Sequence, residues 1–174
     1  IEWLRRSEGE SFFSSISQRR LREPHDEFLA KLVQERHYSS ILEIGRYKGF
    51  SLGLFKYFSR ESFVTSIDIF LYPEVARIVR HCENKILLLH GRSDQLTQLQ
   101  QKYDLVLIDA DHTYEGCRKD WENVRHHLLR GAIVLFDDLE HAEGCGRVFE
   151  EAKKEMGLSA DSYRFHKMGV IHTL

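Results

Sequence analysis

The sequence predicts a doubly wound α/β domain: a mostly parallel sheet flanked by helices, with a C-terminal antiparallel hairpin. Three observations carry this. Five short apolar runs alternate with longer, helix-length amphipathic segments. The runs are nearly continuous in Ile, Val, Leu and Phe rather than strictly alternating, as strands buried on both faces are. The βαβα order with no linker then argues one open parallel sheet.

The elements follow in order. Pro24, with Phe28, Leu29, Leu32 and Val33 behind it, reads as a helix packing on the sheet. The strand runs are Ile41-Leu42-Glu43-Ile44, Phe63 to Ile67, Ile86 to Leu89, Leu105 to Ile108 and Ile133 to Phe136. Between and after them lie the helix-length segments Ser51 to Phe58, Pro73 to Cys82, Asp94 to Gln101, Tyr114 to Leu129 and Glu143 to Met156. In the fourth of these, Cys117, Trp121, Val124 and Leu128 share one helical face. The β-formers of Tyr163 to His172, around Lys167-Met168-Gly169, read as a hairpin closing the sheet edge. Residues 1–37 carry no strand run and are expected to form a helical extension, with 38–174 as the ligand-binding domain.

Composition narrows the function classes. The 174 residues are 42% hydrophobic and 30% charged, enough apolar side chain for a packed core. A net charge of −2 draws the chain to neither nucleic acid nor an anionic membrane. No apolar run approaches the roughly 20 residues of a membrane span. Cys82, Cys117 and Cys145 are odd in number and show no metal spacing, which points to a reducing, cytoplasmic setting. The visible start, with Glu2, Arg5, Arg6 and Glu8, does not read as a signal peptide. The Arg19, Arg20 and Arg22 cluster and the His126-His127 pair read as solvated helix faces.

In open α/β sheets ligands bind beyond the carboxyl ends of the strands, so the residues after each run hold the chemistry. After the first run, Gly45 and Gly49 allow a tight turn and close approach to a ligand, and Ser51 stands near a helix N-terminus that welcomes an anion. Asp68 follows the second run and can accept both hydrogen bonds of a ribose diol, or merely cap a loop. Ser93 and Asp94 follow the third, where they could meet an adenine edge or cap the next helix. Asp109, Asp137 and Asp138 end the fourth and fifth runs. Three converging carboxylates repel one another unless a cation lies between them, and all-oxygen ligation suits a hard ion such as Mg²⁺. His112, three residues past Asp109, can take a proton at neutral pH, with Asp111 as its rival.

The segment Glu43-Ile-Gly-Arg-Tyr-Lys-Gly-Phe-Ser51 resembles the cofactor motif of class I S-adenosylmethionine (SAM) methyltransferases. It is most similar to the metal-dependent O-methyltransferases related to catechol and caffeoyl-CoA methyltransferases. The Asp-Ala-Asp-His and Leu-Phe-Asp-Asp segments also resemble the macrocin-type sugar O-methyltransferases. The resemblance covers roughly residues 38–174 and implies a Rossmann-like methyltransferase fold. By position it implies that Gly45 and Gly49 line the methionine part of SAM, with Glu43 and Tyr47 around its amino and sulfonium end. It likewise implies that Ser51 meets the methionine carboxylate, Asp68 the ribose, and Ser93 and Asp94 the adenine. Asp109 borders the cofactor and, with Asp137 and Asp138, matches the metal ligands, so a divalent cation such as Mg²⁺ is implied. His112 stands where catechol-type enzymes carry a catalytic Lys, and Asp138 where they carry Asn.

The expected activity is transfer of a methyl from SAM to a hydroxyl of a small molecule, assisted by a divalent metal. Neither a nucleic acid nor a membrane is expected as partner, and a homo-oligomer is left open. The alternatives are a metal-free methyltransferase and a non-catalytic SAM-binding module. An NAD-binding dehydrogenase is disfavoured, because Gly45-Arg-Tyr-Lys-Gly49 lacks the G-x-G-x-x-G spacing.

Overall fold

The computed structural model describes residues 24–80, 85–157 and 161–173. The strands are β1 (Ser40–Ile44), β2 (Phe63–Asp68), β3 (Ile86–His90), β4 (Tyr103–Ile108), β5 (Leu128–Phe136), β6 (Asp161–Phe165) and β7 (Met168–His172). The helices are α1 (Pro24–Glu35), α2 (Phe50–Phe58), α3 (Pro73–Arg80), α4 (Tyr114–Val124) and α5 (Arg147–Met156). The strands form one sheet in the order β3-β2-β1-β4-β5-β7-β6. The pairs from β3 to β5 are parallel, and β7 lies antiparallel between β5 and β6. This is the doubly wound sheet with a closing hairpin that the apolar runs predict.

Both faces of the sheet are covered, which is why its strands are apolar on both sides. On one face Ile41, Val64, Leu105 and Leu135 pack against α1, α2 and α3 through Leu29, Val33, Leu52, Phe55 and Ile78. On the other, Leu42, Val106, Val134 and Phe136 pack against α4 and α5 through Cys117, Trp121, Val124, Val148 and Phe149. Trp121 is fully buried and its indole N–H donates to Glu155 at 2.9 Å, so its one polar atom is satisfied.

Four local expectations change. The segment after β3 forms a short 3₁₀ turn, Ser93–Gln98, rather than a helix to Gln101; the Ser93 hydroxyl is drawn to Asp120 at 2.6 Å instead of capping. The helix expected to reach Leu129 stops at Val124, because Leu128 is captured by β4 through pairing with Tyr103. Ahead of α5 lies a wide π-type turn, Ala142–Gly146, in which Gly144 leaves helical geometry. A Cβ there would stand 1.9 Å from the His112 carbonyl oxygen, so the chain must widen to pass. The C-terminal turn is His166-Lys167, with His166 at φ 52, while Met168 and Gly169 already belong to β7. Residues 1–23 of the expected extension, with the Arg19, Arg20 and Arg22 cluster, and Cys82 lie outside the described residues.

Candidate active site

Strand order reverses between β1, whose outer neighbours are β2 and β3, and β4. Loops leaving β1 and β4 therefore part to opposite faces and open a crevice. A cavity of about 970 Å³ lies there, lined among others by Gly45, Tyr47, Asp68, Ser93, Asp94, Asp109, Asp111 and His112.

The β1 side is built on Gly45. Its φ is 91°, and a Cβ would stand 1.9 Å from the Asp109 carbonyl oxygen, so this turn can pass the end of β4 only without a side chain. Directly after it, the backbone N–H groups of Arg46 and Tyr47 donate to one Asp68 carboxylate oxygen at 2.8 and 2.6 Å, and that of Phe70 to the other at 2.7 Å. Asp68 thus ties the β1 and β2 loops together at the cavity wall. Two carboxylate oxygens have about four acceptor sites, so capacity for a ligand hydroxyl is left.

Glu43 and Ser51 face one another rather than the cavity. The Ser51 and Ser66 hydroxyls donate to the two Glu43 carboxylate oxygens, and burial pushes the Glu43 carboxyl up to about 7. Gly49 is likewise absent from the cavity lining and caps α2 in a left-handed conformation. Arg46, which the sequence reading did not single out, is also buried. Its guanidinium donates to the Ser66 carbonyl at 2.8 Å and reaches that of Phe70 at 3.4 Å.

On the wall that follows β3, Ser93 donates to Asp120, and the Asn123 side chain donates to Ser93 at 2.9 Å. Asp120 and Asn123 on α4 join the lining although no strand-end argument pointed to them.

At the ends of β4 and β5, Asp109, His112 and Asp138 each bring one ligand atom to a common focus, all within 4.8 Å of one another. Asp137 lies outside that trio, buried, and close enough to Asp109 to disfavour its ionisation. Burial first, then the Asp137 charge, pushes the Asp109 carboxyl up to about 8. Asp138 stands at φ 53, a conformation uncommon for a residue with a side chain. Its Oδ2 is 3.5 Å from His112 Nε2, and its Oδ1 accepts from the Lys167 ammonium at 2.7 Å.

His112 and Asp111 differ sharply. A hydrogen bond with Cys145, then the charges of Asp138 and Asp109, raise the His112 imidazole to about 9 against the opposing effect of burial. Cys145 Sγ is 3.8 Å from its Nδ1, held there by the wide turn before α5. Asp111 instead accepts the Thr113 backbone N–H at 2.9 Å, which holds its carboxyl below the usual range. Thr113 caps α4 by accepting from the Gly116 N–H, so Asp111 belongs to the turn that launches this helix. The sequence reading missed His141, which stacks on His112 with ring centroids 5.5 Å apart and lines the cavity, and Lys167, which arrives from the distant hairpin.

A family model described as a methyltransferase domain matches residues 42–139, from the first strand to just past the last two aspartates. No curated protein sequence matches. Solved structures do. The O-methyltransferase TomG from Streptomyces achromogenes, involved in tomaymycin synthesis and solved with SAM, is 19% identical. The match covers 86% of this chain and 79% of that one at a TM-score of 0.70. An O-methyltransferase from Bacillus cereus, solved with SAH, is 18% identical over 95% of this chain and 90% of that one, at 0.65. The MycE methyltransferase of the mycinamycin pathway, solved with Mg and SAH, is 14% identical over 99% of this chain at 0.68; this chain spans 54% of MycE. At these identities the likeness is one of fold.

Proposed function

The chain belongs to this methyltransferase family, and on that premise we propose that it moves a methyl group from SAM to a hydroxyl of a small molecule with the help of a divalent cation. The observation that carries the proposal is that one cavity is lined both by the Gly45–Asp68 wall and by Asp109 and His112 of the acidic focus. A cofactor on the first and an acceptor at the second would be neighbours.

The residues fit both groups. Gly45 lets the β1 turn pass the end of β4 at the cavity wall, and Asp68 keeps acceptor capacity. The Asp109 and Asp138 carboxylates, which converge with the His112 ring within 4.8 Å, are hard donors suited to Mg²⁺ or Mn²⁺. Burial and then the Asp137 charge raise the Asp109 carboxyl, so a cation at the focus would offset a like-charge repulsion that His112 opposes only in part. When bound, SAM supplies the electrophilic methyl and the cation supplies Lewis acidity that makes a nearby hydroxyl easier to deprotonate.

The chain's own residues do the rest. The Gly45–Asp68 wall would hold and orient the cofactor, and transfer needs the acceptor oxygen in line with its methyl. Asp109 and Asp138 would hold the cation, with the Asp137 carboxylate near Asp109. His112 accepts the hydroxyl proton at Nε2, which requires its neutral form; a cation at the focus favours that form by opposing protonation. Asp111, committed to the α4 turn with its carboxyl held low, is the poorer base. A second reading, in which His112 is itself the third ligand, is favoured by the convergence of the three donor atoms.

The acceptor is a small molecule, in keeping with a cavity of about 970 Å³ that must also hold the cofactor. Buried free thiols at Cys117 and Cys145 support a reducing, cytoplasmic setting. No helix among the described residues is long and apolar enough to cross a membrane. The test is methyl transfer from labelled SAM to a panel of sugar and phenolic hydroxyl compounds, with Mg²⁺ and with a chelator. Turnover lost on chelation and restored by Mg²⁺ supports the reading. Turnover indifferent to chelation makes the enzyme metal-free, and SAM binding without turnover on any acceptor favours a binding module.

A further inference from the structure

The acidic focus contains a cation of its own. The Lys167 ammonium donates to Asp138 Oδ1 at 2.7 Å and stands 4.0 Å from Asp137 Oδ2. Like Asp137 and Asp138, it is not among the residues that line the cavity. Its placement is built into the backbone. The two-residue turn His166-Lys167 joins β6 to β7, β7 pairs with β5 as far as Phe136 opposite Gly169, and the Lys167 carbonyl accepts the Leu139 N–H at 2.7 Å. Gly169 has no room for a side chain, since a Cβ would stand 2.6 Å from Phe149 and 2.8 Å from Leu139. The hairpin is thus pressed onto the end of β5, and Lys167 cannot slide away from the two aspartates that follow that strand.

Charge counting gives this contact a purpose. Asp109, Asp137 and Asp138 carry three negative charges when ionised, and Lys167 returns one. With His112 neutral, the form in which it accepts a proton, the ionised cluster is left with two, the charge of a divalent ion. Lys167 also fixes Asp138 by one oxygen and so leaves Oδ2 turned toward His112 and the focus.

We infer that Lys167 is a built-in counter-cation and positioning residue that trims the acidic cluster to the charge of a divalent ion and thereby sets how tightly and how selectively that ion is held. The inference rests on the metal-assisted reading above and deepens it. Its physical content is that a fixed positive charge repels a bound ion in proportion to the ion's own charge. Removing it must tighten a trivalent ion more than a divalent one. A purely structural lysine has no such signature: its loss would loosen Asp138 and weaken both ions.

The experiment is binding of Mn²⁺ by calorimetry and of Tb³⁺ by sensitised luminescence, on the full chain at one mildly alkaline pH and fixed ionic strength. The proteins are the parent, Lys167→Met, Lys167→Gln and Lys167→Arg. Coulombic repulsion from one nearby charge predicts Mn²⁺ affinity up by about tenfold or more in Lys167→Met, and Tb³⁺ affinity up by about thirtyfold or more. Lys167→Gln should follow Lys167→Met, and Lys167→Arg should stay near the parent. Lys167 is part-exposed on a turn, and the Gln variant keeps the experiment readable if Met folds poorly. Weaker or unchanged Mn²⁺ binding in folded Met and Gln variants overturns the inference while leaving the metal reading standing. If neither the parent nor any variant binds either ion, the metal reading fails and takes the inference with it.

Discussion

Replacing Gly45 by alanine should unsettle this protein far more than the same change at another left-handed glycine. Two costs add at Gly45. Its backbone stands at φ 91, where a Cβ meets the neighbouring carbonyl, and a left-handed L-residue costs roughly 1–2 kcal/mol. The new Cβ would also lie 1.9 Å from the Asp109 carbonyl oxygen and 2.7 Å from Ala110 Cα. Both are backbone atoms, so no rotamer change relieves the overlap, and overpacking of this kind adds roughly 1–3 kcal/mol. Together that is about 2–5 kcal/mol, or about 4–20 °C in melting temperature for a chain of this size. Gly131 is the control: its φ is 74, but the nearest atom to a Cβ would be Arg36 Nη2 at 4.0 Å. Gly131→Ala therefore carries only the first cost, about 1–2 kcal/mol, and about 2–8 °C. Any gain from a stiffer unfolded chain is common to both and cancels. Thermal unfolding followed by circular dichroism checks the pair. Melting temperatures for the two variants within about 2 °C of each other would refute the argument that β1 and β4 meet at this glycine.

Three further outcomes are expected. Asp68→Ala should weaken SAM binding by about tenfold or more, from a lost charge-assisted hydrogen bond worth roughly 1.5–3 kcal/mol; parent-like affinity by calorimetry in a folded variant would mean that the ribose lies elsewhere. His112→Ala should lower turnover by roughly 10²–10⁴ with SAM and Mn²⁺ affinities nearly unchanged; a matching loss of Mn²⁺ affinity would make His112 a ligand, and near-parental activity beside an inactive Asp111→Asn would hand the proton to Asp111. Glu43 is raised in the fold from 4.5 to about 7, so the native state holds an extra proton over that window and stability falls as pH rises through it; urea titrations should show a shallower fall for Glu43→Gln than for the parent, and parallel slopes would place Glu43 in a far more polar setting than it has here.

The fold was legible because its signal is local and repeated. Continuous apolar runs report burial on both faces whatever their partners, and the helices between them carry their own periodicity. Boundaries were lost where tertiary contacts decide them. Leu128 has the right spacing for the α4 face, but its pairing with Tyr103 makes it the first residue of β5. The strand-end rule likewise pointed to Asp109, Asp137, Asp138 and His112, because position along a strand alone brings such residues to one rim; Asp137, expected as a ligand, stays outside the converging trio. It could not separate residues facing the cavity from those turned inward. Glu43 and Ser51 share a loop with Gly45, and only the side-chain direction shows that they satisfy each other. Lys167 was beyond reach altogether. Its partner Asp138 is 29 residues away, and no local pattern in Phe165-His166-Lys167-Met168 reports what the hairpin docks against.

The late position of that hairpin also bears on how the protein is made. Ribosomes deliver β5 before β7, and until β7 arrives the edge of Ile133 to Phe136 has no strand partner on its outer side. An apolar, unpaired edge is a template for pairing with other nascent chains. The arrival of Met168 to His172 closes it, and the same event carries Lys167 to the aspartates. Closure of the sheet edge and partial neutralisation of the acidic cluster therefore depend on the same hairpin: a chain that ends after α5 leaves both the edge of β5 and these carboxylates without that partner.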